Sequence, residues 1–506
     1  MDKIVILDYG SQYNEILLTK LRELGVYSLI VPKTTTASKI KELKDVKGVI
    51  LSGGPSIIGE EVKNAPDSKL FDEEILNLNV PVLGICYGME LLAHHFGANV
   101  TSVKDREFDK HVIRLSNSCP LFFNLRDEIV VYITKSDRIS DIPSSVQIVA
   151  ESSSLGPVAF AKDYVYGVMW HPEVDGSEEG RELLSNFIDI CGCKKEWSLE
   201  NFLENKINEI KEEVKDEKVI LGLSGGIDST VAALILHKAI GDNLTCLFVE
   251  TGLHRVNEAS VILNRFREKS KIQLDVADEG ELFLNRLKGV VDPEEKRKVI
   301  VDTFIEVFKK YAKKIGDFKY LGQGTLYTDI KESKWGGKSK VISGTAEDIG
   351  FKIIEPIKEL TKAEVRELGR KLGLDEAFIK RQPFPFPGLA IRIIGEVTLL
   401  KLEILREANE ILSQEVRKNH LETELYQYFC VLTNIDSTGV EGNNKIYYHT
   451  IAIRAVTSNN GINADFYKFD MNFLERVSRR IVNEVRGVNR VVYDITAKPP
   501  STIEYQ

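Results

Sequence analysis

Twice in this chain a short run of strand-forming apolar residues passes directly into a glycine-flanked turn and then a helical pattern: VPVLGICYGMELL from Val80 and KVILGLSGGIDSTVAAL from Lys218. Around the first, KIVILDYG, VYSLIVP, GVILSGGP and YGVMWHPEV are further strand candidates ending in glycine or proline and separated by helical stretches. Such alternation is the signature of an open α/β sheet. The second run opens another α/β unit, through the strand LTCLFVE to about Pro385. Between them, Leu199, Phe202, Leu203, Ile207, Ile210 and Val214 recur at helical spacing behind Ser198, a good N-cap, and predict a linker helix. Past residue 386, segments such as KIYYHTIAIRAV and NRVVYDIT predict a small α+β domain with antiparallel strands. The expected fold is thus α/β, with two doubly wound parallel-sheet domains (1–192 and 216–385) joined by a linker helix (193–215) and followed by an α+β domain (386–506).

A chain of 506 residues is too long for one hydrophobic core, which agrees with this division. With 67 Lys and Arg against 76 Asp and Glu, the net charge of -9 argues against a surface built for nucleic acid. The mixed-sign run Glu294-Glu295-Lys296-Arg297-Lys298 is expected to be a solvated helix face. MDKIVILDYG has too short an apolar run for a signal peptide, and no stretch reaches the ~18 apolar residues that would cross a bilayer. A cytoplasmic protein with no membrane contact is expected, and its six cysteines do not make a disulfide framework. Cys191-Gly192-Cys193 has the look of half a metal site, but no second Cys pair or His cluster accompanies it.

Gly84 and Gly88 flank Cys86 at the spacing G-x-C-x-G, the elbow that exposes a nucleophile between a strand and a helix. The helix N-terminus that follows favours the thiolate. A thiolate attacking an amide needs a proton donor for the leaving ammonia, and that donor needs an orienter. His171 and Glu173, two apart in YGVMWHPEV, would project from one face of a strand toward one site. Gly53 and Gly54, ending the strand in LSGGPS, offer amides to an oxyanion. With SGGP, G-x-C-x-G and HPE in this order, residues 1 to 192 resemble the class I, triad-type glutamine amidotransferases. The resemblance implies Cys86 as nucleophile, His171 as general base and acid, Glu173 as its orienter and Gly53 and Gly54 near the oxyanion hole.

The loop Ser224-Gly225-Gly226-Ile227-Asp228-Ser229-Thr230 is no Walker A loop, since it lacks the G-K-[ST] ending. Its glycines, hydroxyls and helix N-terminus nevertheless form an anion nest suited to pyrophosphate. S-G-G-x-D-S after a strand resembles the N-type ATP pyrophosphatases, which cleave ATP to AMP and pyrophosphate. That likeness implies Asp228 as the carboxylate associated with Mg²⁺ and an adenine contact near Val249.

A glutaminase ahead of an ATP pyrophosphatase specifies a ligase that aminates an adenylated acceptor. The loops around Asp329 and Glu332, the run Arg381 to Arg392 and the ending Lys498 to Glu504 are, on their residues alone, punctuated loops with charges. Together they resemble the GMP synthases, a likeness running from ILDYGSQY to PPSTIEY. It implies amination of XMP to GMP with glutamine and ATP. Asp329, Glu332, Arg392, Lys498 and Glu504 would face the acceptor nucleotide, and the last domain would form a homodimer. Departures cluster on the acceptor side: Val341 to Asp348 lacks the family's paired histidines, Gln382 stands for His and Phe386 for Gly, and Ser501, Tyr505 and Gln506 replace the usual ending. Near the adenine side, Glu250 stands for Asp and His254 for Leu; in the first domain Glu90 stands for Gln, and Ile133 to Ser136 replaces a Met-Ser-His string. A paralogue acting on another nucleotide or heterocyclic carbonyl, and a non-catalytic nucleotide-binding regulator, are the alternatives.

Overall fold

The computed structural model describes residues 1–506 apart from 57, 59–69, 102–108, 134–137, 328, 330–349 and 459–462. Glu332 and the stretch Val341 to Asp348 lie outside the described residues. The chain folds as two compact units, Met1–Phe202 and Leu203–Gln506. The helix Leu199–Val214 carries the chain from one to the other, and Ser198 caps it, its Oγ accepting from the Asn201 amide at 3.1 Å. No helix among the described residues is long and apolar enough to cross a membrane.

The strands of the first unit are β1 (Lys3–Asp8), β2 (Tyr27–Pro32), β3 (Val46–Leu51), β4 (Val82–Ile85), β5 (Asn99–Thr101), β6 (Asp109–Leu115), β7 (Glu128–Ile133), β8 (Arg138–Ser140), β9 (Gln147–Ser152), β10 (Gly156–Lys162) and β11 (Val165–Val168). Nine of them make one sheet, ordered β2-β1-β3-β4-β11-β10-β9-β6-β7. The half from β2 to β11 is parallel, as the alternating pattern predicts, and its strands are nearly continuous apolar runs because both faces are covered. The other half, from β10 to β7, is an antiparallel extension.

β11 ends at Val168, three residues before His171. His171 and Glu173 therefore do not share a strand face as the two-residue spacing suggests; they lie in the turn that follows. Pro172 between them has no amide to give to a sheet ladder, so the strand cannot run on through this segment.

In the second unit, β12 (Val219–Gly222), β13 (Leu244–Glu250), β14 (Gln273–Asp278), β15 (Tyr320–Gly322) and β16 (Lys352–Ile354) form a wholly parallel sheet ordered β14-β13-β12-β15-β16. Its order reverses between β12 and β15, so the loops leaving both strands face one crevice. Then come β17 (Gln427–Glu441), β18 (Asn444–Thr457), β19 (Asp465–Phe466) and β20 (Val488–Asp494). β17 and β18 form the expected antiparallel hairpin, but β20 pairs parallel with β18. The helix Met471–Glu484 lies between them and returns the chain to the same direction, as a parallel pairing requires.

A large apolar core spans the second unit from the parallel sheet to the last helix, beside a smaller one around Phe429, Val431 and Ala452. It takes Ile220, Leu247 and Leu321 from the parallel sheet, Val307 and Phe308 from the helix Pro293–Ile315, and Leu405, Cys430, Ile453 and Ile481 from the segment past residue 386. Lys296 belongs to the buried face of that same helix with Ile300, Thr303 and Val307, and is 0% exposed, not solvated as its charged neighbours suggest. Helical spacing turns Lys296 inward while Arg297 stays outside. Its ammonium donates to the carbonyl of Ile393 (2.6 Å), more weakly to that of Ala390 (3.4 Å), and to Gln506 Oε1 (3.3 Å). Burial, with Lys401 nearby, pulls its pKa down to about 8.

Replacing Lys296 by Met keeps most of the stem and removes these donors, and is expected to lower the unfolding free energy by about 2–4 kcal/mol at neutral pH. The unfolded chain binds more protons at this site between pH ~8 and ~10.4, so the lysine's own contribution to stability should rise across that window and vanish from the Met variant. Urea titrations of both proteins at several pH values check this; a variant as stable as the parent would mean that the two carbonyls do not depend on Lys296.

Candidate active sites

The first site forms at the carboxyl edge of the parallel half-sheet. Val168 pairs with Ile85 and the Cys86 amide donates to the Val168 carbonyl at 2.8 Å, so the chain ends leaving β4 and β11 emerge side by side. Cys86 has φ 52° and ψ -111°, a conformation that an L-residue adopts only under constraint. The constraint is steric. A Cβ on Gly88 would come within 2.1 Å of the Leu51 carbonyl oxygen, and one on Gly84 within 2.5 Å of the Gly88 oxygen. The helix Tyr87–His95 can therefore begin directly against β3 only with glycine at both positions.

His171 and Glu173 are each 2% exposed, and His171 Nδ1 donates to Glu173 Oε1 at 2.7 Å. Burial works against a charged imidazole here. The Glu173 carboxylate and a hydrogen bond with Cys86 outweigh it and raise the His171 pKa to about 10. An imidazolium that persists through neutral pH can stabilise a thiolate and hand a proton to departing ammonia. Gly53 completes the group: a Cβ there would stand 2.6 Å from His171 Cε1 and 3.5 Å from Cys86 Cβ. Gly54 is instead packed against the backbone of Tyr9. Tyr13, which the sequence reading passed over, sets its ring edge-on to the His171 imidazole with centroids 4.8 Å apart. Its place in DYGSQY, after β1, was the available signal.

The second site is a cavity of about 410 Å³ at the crevice between β12 and β15. Ser224, Gly225, Gly226, Asp228 and Ser229 line one end of it, and Val249 lies along its wall. Gly225 has φ +75° and no room for a Cβ against Ile262, so the nest requires glycine there. Ser224 and Ser229 bond to each other, Oγ to Oγ at 3.0 Å. Thr230 faces away; its hydroxyl donates to the Gly226 carbonyl at 2.9 Å and steadies the first helical turn. Asp228 is gripped by Lys362, whose ammonium reaches both carboxylate oxygens at 2.7 and 2.8 Å. Lys362 opens a helix with a capping box built from Thr361 and Glu364, which fixes where it points. No signal in the SGGIDS string could have announced a partner 134 positions on.

The residues expected on the acceptor side are placed less uniformly. Arg392 is 1% exposed and donates twice to Glu504, at 3.0 and 2.7 Å, while its guanidinium lies 4.0 Å from the Phe429 ring centroid. Lys498 joins the Ala464 backbone, and Asp329 accepts from the Leu326 amide at 2.7 Å. None of these four lines the cavity. Gln382 and Phe386 do line it. Gln382 Oε1 accepts from the Tyr428 amide at 2.9 Å, tying the proline-rich loop to β17, and Phe386 packs edge-on against Phe304. Arg255 and Arg381 stand near each other, and burial lowers both guanidinium pKa values to about 10.

Two outcomes follow for the first site. Gly88→Ala should cost about 2–4 kcal/mol and abolish glutamine hydrolysis, because the obstructing atom is backbone; a variant with normal glutaminase would show the elbow to be dispensable. In Glu173→Gln the main upward influence on His171 is gone. The alkaline limb of the glutaminase pH profile, expected near 10 in the parent, should then move down by at least about one unit toward the ordinary histidine value of ~6.5. Glutamate release measured from pH 6 to 10 reads the shift, and an unmoved limb would exclude Glu173 as the cause.

Comparison with known proteins extends this beyond the two sites. Residues 5–191 match the family described as glutamine amidotransferase class-I, residues 197–288 that described as NAD synthase, and residues 414–505 that described as GMP synthase C terminal domain. The chain is 45% identical to the glutamine-hydrolysing GMP synthase of Bacillus mycoides, over 100% of its own length and 99% of that protein's. It is 46% identical to that of Geobacillus kaustophilus, with the same coverage. It is 47% identical to that of Staphylococcus saprophyticus, over 99% of this chain and 98% of that one. Likeness of that extent, from one end to the other and through both sites, places the chain in the family of glutamine-hydrolysing GMP synthases.

Proposed function

We propose that this protein converts XMP to GMP, using glutamine as the nitrogen source and ATP as the activating substrate. Cys86 attacks the glutamine carboxamide, His171 gives a proton to the departing ammonia, and water then releases glutamate from the thioester. At the second site the XMP C2 oxygen attacks the α-phosphorus of ATP and pyrophosphate leaves. Ammonia adds at C2, and AMP departs with that oxygen. The observation that carries this reading is a triad-bearing sheet and a pyrophosphate nest in one chain that aligns end to end with GMP synthases.

The nest and Lys362 are suited to the β- and γ-phosphates, and Ser224 and Ser229 to their oxygens. Asp228 and Glu258 both line the cavity, Glu258 being taken up by Arg381, and among the described residues no group of three or more His, Cys, Asp or Glu could hold a metal by itself. A Mg²⁺ held mainly by substrate phosphates would take Asp228 as its protein ligand, Lys362 exchanging its bonds to that carboxylate for the phosphates; the ion would neutralise the charge of the leaving pyrophosphate. We assign Arg392, Glu504, Lys498, Asp329 and Glu332 to the acceptor side, which requires Arg392 and Glu504 to exchange their mutual bonds for the nucleotide's. Exposed Ile435, Val440 and Tyr447 on the β17–β18 hairpin support a homodimer formed by the last domain, and a cytoplasmic location suits the substrates.

The deciding assay incubates the full chain with Mg-ATP, glutamine and XMP and follows pyrophosphate and GMP together. Equal amounts of both are expected. Cys86→Ala should lose the reaction with glutamine and keep it with ammonium salts. Glutamine hydrolysis without pyrophosphate or GMP would mean that the acceptor is another nucleotide or heterocyclic carbonyl, and a protein that releases no pyrophosphate with any acceptor would be a non-catalytic nucleotide-binding regulator.

A further inference from the structure

The nucleotide cavity is also walled by rings: Phe248, His254, Phe304, Phe384 and Phe386. A nucleotide with its phosphates on the nest would find in these rings the apolar surface that suits its base. The imidazole of His254 lies between Phe248 and Phe384, nearly parallel to both, with centroids 5.5 and 6.4 Å away. Its Nδ1 donates to Glu250 Oε1 at 2.9 Å, and the same oxygen accepts the Gly252 amide at 2.8 Å. Burial alone would raise the Glu250 carboxyl, but the bonds from His254 and Gly252 hold it below its ordinary value. From outside the loop, Arg406 donates to the carbonyls of Gly252 and His254. Ring plane and backbone are both fixed.

In the neutral ring a carboxylate at Nδ1 also fixes the tautomer: the proton sits on Nδ1 and the lone pair on Nε2. Among the described residues nothing engages Nε2. Both members of the pair are departures noted in the sequence, Glu for Asp and His for Leu, and the longer acid is what reaches the ring. Leucine offers no acceptor at this place.

We propose that His254 is a specificity-determining residue for the activating nucleotide, its Nε2 accepting a hydrogen bond from the 6-amino group of the ATP base. This rests on the reading of the cavity as the ATP site given above. A 6-oxo purine would turn an oxygen lone pair toward the Nε2 lone pair and be rejected, since a site built around a hydrogen bond discriminates against the ligand that cannot make it.

The test measures kcat/KM for pyrophosphate release by the full chain, with saturating glutamine and XMP, for ATP, for ITP and for the purine riboside triphosphate that lacks the 6-amino group. Turnover of ATP with XMP by the parent protein tests the reading of the site separately. In the parent, removing the amino group should cost about tenfold, and in His254→Leu no more than about twofold. Glu250→Gln keeps the shape of the loop but can donate to Nδ1 and move the ring proton to Nε2, so its preference for ATP over ITP should shrink. An equal penalty for the missing amino group in parent and His254→Leu, or a loss confined to the KM for XMP, would overturn the proposal. An unchanged ATP-to-ITP ratio in Glu250→Gln would overturn it as well.

Discussion

The approach of the Gly88 α-carbon to the Leu51 carbonyl decides how the first unit is built. Because a helix begins there with no side chain between it and the sheet, Cys86 is forced out of the preferred backbone regions and held at the sheet's edge. The parallel register of β4 with β11 then delivers His171 to the same edge. The second unit meets the same demand at Gly225, where a positive φ and the Ile262 side chain leave room for a hydrogen alone. In both places strand, glycine and helix make one device, and the chemistry differs only in what stands at the turn: a thiol in one, hydroxyls and amides in the other.

Buried charge is the second organising theme, and each instance is met by a specific partner. His171 and Glu173 pair almost out of reach of water. Arg392 is enclosed between Glu504 and the Phe429 ring, and Lys296 is satisfied by neutral oxygens instead of a carboxylate. The last choice leaves a cation in the core with burial and the nearby Lys401 outweighing the attraction of Asp292, which is why its pKa falls while that of His171 rises.

What could be read from the sequence was what local chemistry encodes. The elbow at Cys86 and the nest at Ser224 to Ser229 declare themselves within six residues, because glycine placement is a backbone requirement. His171 and Glu173 were found by their spacing, though for a reason that Pro172 defeats: a turn, and not strand alternation, brings them together. The partners that lie far along the chain were hidden. Lys362 on Asp228, Arg381 on Glu258 and Gln382 on Tyr428 depend on which loops the β12–β15 crevice gathers, and no window around any of these residues contains that information. Lys296 was missed because its neighbours' charge masked the helical period that buries it, and the direction of β20 because its partner choice depends on the helix before it.

The continuous core of the second unit has a consequence for how that unit comes apart. Ile220 and Leu247, beneath the Ser224–Ser229 loop, belong to the same cluster of buried apolar side chains as Ile481 and Val488. Because that cluster is continuous, local opening on one side exposes apolar surface on the other, and the two halves should melt in one cooperative transition. A fragment ending near Pro385 would carry a bare hydrophobic floor under its nucleotide loop. The tail that closes over Lys296 is thus as much part of the nest's foundation as the strands that lead into it.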